Sequence, residues 1–278
     1  MALVVNTNMQ ALNALRHLER STSMLSRALE RLSSGLRINN AADDAAGLAI
    51  ATRLGAQVRS LNQAIRNAND GIAYLATAEG ALNEVTNIVV RIKELAVQAA
   101  NGTLGASDLA SIQDEVSALQ EEMDRILQNA RFGNLSLFSA AANVYTFTTV
   151  AFHVGDGDNS GGFDQISVAV TAIDLDAVRT ADVTADAEGA ITAADGALDA
   201  IATARGELGA AQNRLVSTVA NLAVASEKVS DARSRILDAD FAAETAELTR
   251  AQILQQAGIA VLAQASVLPQ AALALLRQ

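Results

Sequence analysis

Residues 208–236 read LGAAQNRLVSTVANLAVASEKVSDARSRI. Taking alternately every third and fourth residue gives Leu208, Ala211, Leu215, Thr218, Leu222, Ala225, Val229, Ala232 and Ile236, with Gln, Asn, Arg, Ser, Glu, Lys and Asp between them. An apolar repeat of about 3.5 residues, sustained over this length, requires a supercoiling helix with a partner along its whole course. Small Ala and Thr alternate with Leu, Val and Ile, so the partner is able to approach closely. Leu82, Val85, Val89, Ile92, Ala96 and Ala99 repeat the rhythm earlier in the chain. The C-terminal half is therefore expected to fold back on the N-terminal half. The expected fold class is mainly α, a long antiparallel helical coiled-coil bundle formed by the two halves.

Composition supports helices over a compact catalytic core. Half of the 278 residues are hydrophobic, but only 3% are aromatic and none is Trp. The single proline, Pro269, leaves long helices uninterrupted. With no cysteine there is no disulfide, thiolate chemistry or cysteine-based metal site. The opening MALVVNTNMQ lacks a basic n-region, an apolar run of signal length and a small-residue cleavage site. Export without a cleaved signal peptide is the expectation if the protein leaves the cell. No window offers about 18 consecutive apolar residues, so no membrane span is expected. A net charge of −11 argues against nucleic acid and anionic membranes as partners. Residues 1–66 carry eight Arg against four acids, whereas residues 138–200 carry ten acids against Arg179 alone. The acidic middle reads as the most solvated part.

In chain order, residues 6–32 predict a helix spaced by Leu12, Leu15, Leu18, Leu25, Leu29 and Leu32, with Asn6 or Thr7 as N-cap and Gly35 at its left-handed end. A second helix is expected from Ala41, capped near Asn40 with Asp43 and Asp44 at its positive end, and a turn at Asn67–Gly71. Residues 72–100 form the next helix, stopped by Asn101-Gly102. Ser107 is read as the cap of a helix facing inward with Leu109, Ile112, Val116, Leu119, Met123, Ile126 and Leu127. The β-branched and aromatic run from Val144, together with Gln165–Val170, reads as a small β-hairpin region in the middle, about 144–176. The chain closes with the seam helix and an Ala/Leu/Gln-rich helix reaching Gln278. The two terminal helices should lie side by side. They lack large anchors, so a lone pair is marginal and gains stability from neighbouring copies. This pattern points to a self-assembling rod.

Site chemistry is sparse. His17 sits in a leucine-spaced helix and His153 beside a Gly/Asp loop, and neither has metal-ligand company. Gly155-Asp156-Gly157-Asp158-Asn159 lacks the full ligand pattern and closing Glu of a calcium loop, and reads as a solvated turn. Asp43 and Asp44 are explained by a helix start better than by paired catalysis. No phosphate-binding Gly loop or nucleophile elbow is present. No catalytic, cofactor or metal role is assigned, and the chain is not read as an enzyme.

Several longer motifs then stand out in order: Val5-Asn6-Thr7-Asn8, Arg31-Leu32-Ser33-Ser34-Gly35-Leu36-Arg37-Ile38-Asn39, Ala41-Ala42-Asp43-Asp44-Ala45-Ala46-Gly47-Leu48-Ala49-Ile50, and residues 91–101 (RIKELAVQAAN). Arg214-Leu215 and residues 235–245 (RILDADFAAET) follow. Over nearly its whole length the chain resembles bacterial flagellin. That resemblance implies a flagellar filament subunit, extracellular, that polymerises with itself for swimming motility. It implies terminal helices at about 1–40 and 240–278 that line the filament core, and an outer helical domain with its β-hairpin at about 41–239. The short middle implies a minimal subunit lacking large variable outer domains. The assembly residues expected are Leu12, Leu15, Leu25, Leu29 and Leu32 with Leu254, Ile259, Leu262, Leu273 and Leu276. The implied partners are the flagellar export apparatus, a flagellin chaperone, the filament cap and hook-junction proteins. Toll-like receptor 5 is a further implied partner, with Arg91, Leu95 and Glu115 as the matching epitope residues. O-linked glycans on serines and threonines around 139–192 are also common to the family, though no site is selected here. A hook–filament junction protein and a flagellin-like surface adhesin are the alternative readings.

Overall fold

The computed structural model describes residues 7–141, 144–157 and 164–276, and for 140, 141 and 268–276 the backbone only. The helices are α1 (Met9–Ser34), α2 (Ala45–Ala99), α3 (Ala106–Asn129), α4 (Asp176–Arg179), α5 (Ala187–Leu237) and α6 (Phe241–Leu276). Between α3 and α4 lie β1 (Arg131–Phe132), β2 (Leu135–Ser136), β3 (Phe138–Ala141), β4 (Val144–Phe147), β5 (Val150–His153), β6 (Gln165–Val168) and β7 (Ile173–Asp174). Two compact units share these elements. A central unit runs from Gln57 to Glu227, and a terminal unit combines the chain up to Ala56 with the chain from Lys228 onward.

In the central unit the apolar seam is longer than the sequence reading placed it. Buried positions on α2 run Leu61, Ala64, Ala68, Gly71, Leu75, Ala78, Leu82, Val85, Val89, Ile92, Ala96 and Ala99, alternating three and four throughout. On α5 they run Ala190, Ala194, Ala197, Ile201, Ala204, Leu208, Ala211, Leu215 and Leu222. Polar cross-links fix the pairing as antiparallel. Ser226 donates to Asn62 (3.1 Å), Gln212 donates to Glu79 (3.2 Å), and Lys93 pairs with Asp195. Past Leu222 the buried position moves from Ala225 to Ser226, and in the terminal unit from Ile236 to Leu237, leaving Ala232 exposed. A straight helix drifts by about 20° per heptad against a 3.5-residue repeat, which carries the seam on by one place.

The turn expected at Asn67–Gly71 is absent, because α2 runs through it without a break. The Asn67 amide instead donates to the His153 carbonyl (3.0 Å). A methyl added at Gly71 would lie 3.0 Å from Phe152 Cδ1 and 3.2 Å from Leu215 Cδ1. These residues are polar or small because neighbouring side chains and a strand rest on them.

Other boundaries also shift. Asn6 lies outside the described residues, and Asn8 rather than Thr7 caps α1 by accepting from Ala11 N (3.1 Å). Gly35 closes that helix at φ 72°, the left-handed conformation expected of it. Helix α2 opens at Ala45 rather than Ala41, with Asp44 accepting from Gly47 N (2.8 Å). Asp43 belongs to the turn before it and accepts from Asn40 N (3.0 Å) and Asn39 N (3.2 Å). Those bonds, Asn40's first, hold the Asp43 carboxyl below its ordinary range. At α3, Asp108 reaches back to Gly105 N (3.1 Å), so Ser107 lies inside the helix rather than capping it.

The β part is more divided than one hairpin or meander. Strands β3, β4 and β7 form one antiparallel sheet in that order, β5 and β6 form a separate hairpin, and β1 and β2 a third pair. The hairpin register runs from Val150↔Val168 to His153↔Gln165. Residues 158–163, including most of the Gly/Asp loop, lie outside the described residues. A cluster of rings fastens this part to α2. Tyr74 stands edge-on to Phe132, Phe147 and Phe152 at 5.8, 5.6 and 5.9 Å between centroids, and Phe138 meets Phe147 at 5.9 Å. The Tyr74 hydroxyl donates to the Thr148 carbonyl (3.2 Å). On α3, Asp124 accepts from the Tyr145 hydroxyl (2.7 Å) and Arg179 Nε (2.6 Å). Burial and then the Asp124 bond raise the Tyr145 pKa.

Candidate assembly interface

In the terminal unit α1 and α6 pack antiparallel. Asn8 Nδ2 donates to the Ala265 carbonyl (2.7 Å), Leu18 faces Gly258, and Arg31 pairs with Glu244 (2.9 Å). The seam on α1 is Ala11, Ala14, Leu18, Ser21, Leu25, Ala28 and Leu32, which continues the coiled-coil spacing. On α6 it is Glu244, Leu248, Ala251, Gln255, Gly258, Leu262 and Ala265. Among the described side chains of this pair, full burial is reached only at the small residues Ala14, Ser21, Ala28, Ala251 and Ala265. Ser21 satisfies its hydroxyl on the Leu18 carbonyl (2.9 Å). At the end of this pair, Arg37 N donates to the Leu237 carbonyl (2.6 Å) and Ala239 N to the Gly35 carbonyl (3.0 Å). Ile38, Ala51 and Leu237 form a small core there, flanked by Leu36, Leu48 and Ile236.

The residues picked from sequence divide into two groups. Leu25, Leu32 and Leu262 are half-buried members of the seam between the two helices. Leu12, Leu15, Leu29, Leu254 and Ile259 project outward, each more than 40% exposed. The side chains of Leu273 and Leu276 lie outside the described residues. Met9, Phe241, Ile253, Val261 and Val267 project in the same way and were missed by counting leucines. The signal for them was available. From Ala251 to Val267 the polar residues are four Gln and Ser266, and none is charged. Over this stretch α6 carries no charge on any side, whereas α1 covers only one side of it. A helix apolar all round belongs in an interior.

In the central unit, Arg91 and Glu115 are brought together. Arg91 Nη2 and Nε lie 2.8 and 3.1 Å from Glu115 Oε1, and Arg91 Nη1 lies 3.2 Å from Glu94. Leu95, expected beside them, is buried. His17 is exposed, and His153 contributes its backbone carbonyl to Asn67. Among the described residues no group of three or more His, Asp or Glu side chains is placed to hold a metal ion. Nor is any described helix long and apolar enough to cross a membrane.

Comparison with known proteins matches the chain to two family descriptions. They are the bacterial flagellin N-terminal helical region at residues 5–143 and the bacterial flagellin C-terminal helical region at residues 191–276. A flagellin of Halalkalibacterium halodurans is 46% identical over 99% of this chain and 100% of its own length. Flagellin FlaB2 of Treponema pallidum is 40% identical over 99% of this chain and 100% of its own. A flagellin of Bacillus subtilis is 40% identical over 98% of this chain and 99% of its own.

Proposed function

The chain belongs to the bacterial flagellin family and is a structural subunit of the extracellular flagellar filament, and we propose that it polymerises through the outward faces of α1 and α6. The observation that carries this reading is α6 itself. Its outer side presents Ile253, Leu254, Ile259, Val261 and Val267 to solvent in the single subunit. Contiguous apolar surface of this kind is covered in a stable protein, and copies of the same chain cover it by repetition. In this reading residues 1–40 and 240–278 line the filament core and residues 41–239 form its outer part.

Leu29→Glu and Leu254→Glu test the assignment. Each side chain is about half exposed in the subunit, so helicity by circular dichroism should hold. Long filaments should fail to grow from added seeds under the electron microscope. Normal growth of both variants refutes the assembly face.

The same apolar side needs cover before polymerisation, which fits a flagellin chaperone at α6 during export. The cap and hook-junction proteins then meet the subunit at the two ends of the polymer. The β5–β6 hairpin, held on α2 through Asn67 and Gly71, is the element whose shift in packing would set filament handedness. Arg91 and Glu115 supply an exposed charged surface suited to Toll-like receptor 5, with buried Leu95 supporting the helix face beneath them.

A further inference from the structure

We propose that Asn101 is a site of spontaneous deamidation, through cyclisation onto the backbone nitrogen of Gly102. Asn101-Gly102 is the one Asn-Gly pair in the chain. It lies in the turn after α2, where both residues are exposed. The turn is held by Asn101 N donating to the Gln98 carbonyl (3.2 Å) and Leu104 N donating to the Asn101 carbonyl (3.3 Å). Among the described residues, neither the Asn101 side-chain amide nor the Gly102 N–H has a hydrogen-bond partner. The reacting groups are therefore both free. Four other asparagines are committed: Asn8, Asn62 and Asn67 hold their side chains on tertiary partners, and Asn129 on its own helix.

Glycine matters here for access. A methyl at Gly102 would meet nothing within 4 Å, so the space around the attacking nitrogen is open. Glycine also gives the turn the backbone freedom to bring that nitrogen onto the side chain. Hydroxide removes the Gly102 amide proton, and the nitrogen attacks Asn101 Cγ. The new C–N bond forms as the Cγ–NH2 bond breaks, and the amide leaves as ammonia with a proton from water. The five-membered succinimide is then opened by water at either carbonyl, giving aspartate or isoaspartate. No oxidant or reductant enters. The product places a carboxylate just past the C-terminal end of α2, where the helix dipole disfavours negative charge. The isoaspartyl product also lengthens the main chain within the turn. A subunit outside the cell keeps such damage for the life of the filament.

The test uses purified full-length subunit held in mildly alkaline buffer, with peptide mapping by mass spectrometry over time. Asn134 serves as internal reference, being exposed in a turn but followed by Leu135. Asn101 should convert first, to a mixture of aspartyl and isoaspartyl peptides. Gly102→Ala, for which the structure has room, should slow conversion about two- to fivefold with helicity unchanged. Conversion of Asn134 as fast as Asn101, or a Gly102→Ala rate equal to that of the parent chain, would overturn the proposal.

Discussion

Two identical substitutions on one helix should change stability in opposite directions. Gly71 and Gly80 both lie inside α2, and in an isolated helix replacing either by Ala stabilises by about 0.5–1 kcal/mol. At Gly80 the new methyl meets nothing within 4 Å, so that gain is kept. At Gly71 the methyl lands 3.0 Å from Phe152 Cδ1, 3.1 Å from its Cγ and 3.2 Å from Leu215 Cδ1. Neither neighbour is at liberty to retreat. Phe152 is set against Tyr74, and Leu215 is fully buried in the α5 seam. Overpacking of this kind costs about 1–3 kcal/mol, which outweighs the helical gain. Gly80→Ala should therefore rise by ~0.5–1 kcal/mol and Gly71→Ala fall by ~1 kcal/mol. Urea unfolding followed by tyrosine emission suits the measurement, because the chain has no Trp and both tyrosines, Tyr74 and Tyr145, lie in the central unit. The gap between the two midpoints should be roughly 1 M urea. If Gly71→Ala is stabilised alongside Gly80→Ala, the hairpin does not rest on α2 as described.

The remaining predictions concern assembly and acid. Ile253 is 61% exposed in the subunit, and Ile253→Ala removes about 1.5 kcal/mol of burial that only neighbours could provide. The critical concentration for seeded growth, measured by pelleting, should rise about tenfold with the monomer melt unchanged; an unaltered critical concentration removes Ile253 from the interface. Glu207 accepts from the Thr171 hydroxyl (2.7 Å) and backbone N–H (2.6 Å), which hold its pKa below the ordinary 4.5. Because the folded value is the lower one, this contribution is complete above pH 4.5 and disappears as pH falls through the lowered value. Glu207→Gln should flatten the acid limb of the tyrosine-monitored stability curve, and an unchanged limb shows the pair to be energetically silent.

The bundle was legible because its signal is local and periodic. The stretch 208–222 repeats apolar residues at coiled-coil spacing, and burial follows it at Leu208, Ala211, Leu215 and Leu222, with Thr218 half-buried. Where the reading failed, the deciding information lay far away in sequence. Asn67 and Gly71 look like a turn by composition, and only Phe152 and the His153 carbonyl, some eighty residues on, explain them. The same holds for the rings of Tyr74, Phe132, Phe138, Phe147 and Phe152, whose partnership depends on how the strands fold. At the termini the leucine pattern marks apolar positions without saying which partner each one meets. The seam between α1 and α6 is centred on Ala14, Ser21, Ala28 and Ala251. Leu12, Leu15 and Leu29 sit one place off it and face outward. Leucines pattern strongly in a sequence whether they face a partner within the chain or one outside it.

That division of labour has an energetic consequence. The central unit buries large side chains completely, among them Leu75, Leu82, Ile92, Leu95, Met123, Leu127, Leu137, Ile173, Leu175, Ile201 and Leu208. Each contributes about 1.5–3 kcal/mol relative to exposure. The α1–α6 pair fully buries alanines and a serine, whose side chains contribute far less, while paying the same backbone ordering cost per residue. Small residues let the two helices approach closely, but they leave the pair short of apolar burial. What is missing is present on the outside, in Leu12, Leu15, Leu29, Ile253, Leu254 and Ile259. A seam of leucines between α1 and α6 would have made a stable pair with little left to offer a neighbour. On the proposed assembly, alanine inside and leucine outside would instead transfer much of the stabilisation of these helices to contacts between subunits. Order at the termini would thereby be coupled to joining the filament, whereas the core of the central unit is complete within the single chain.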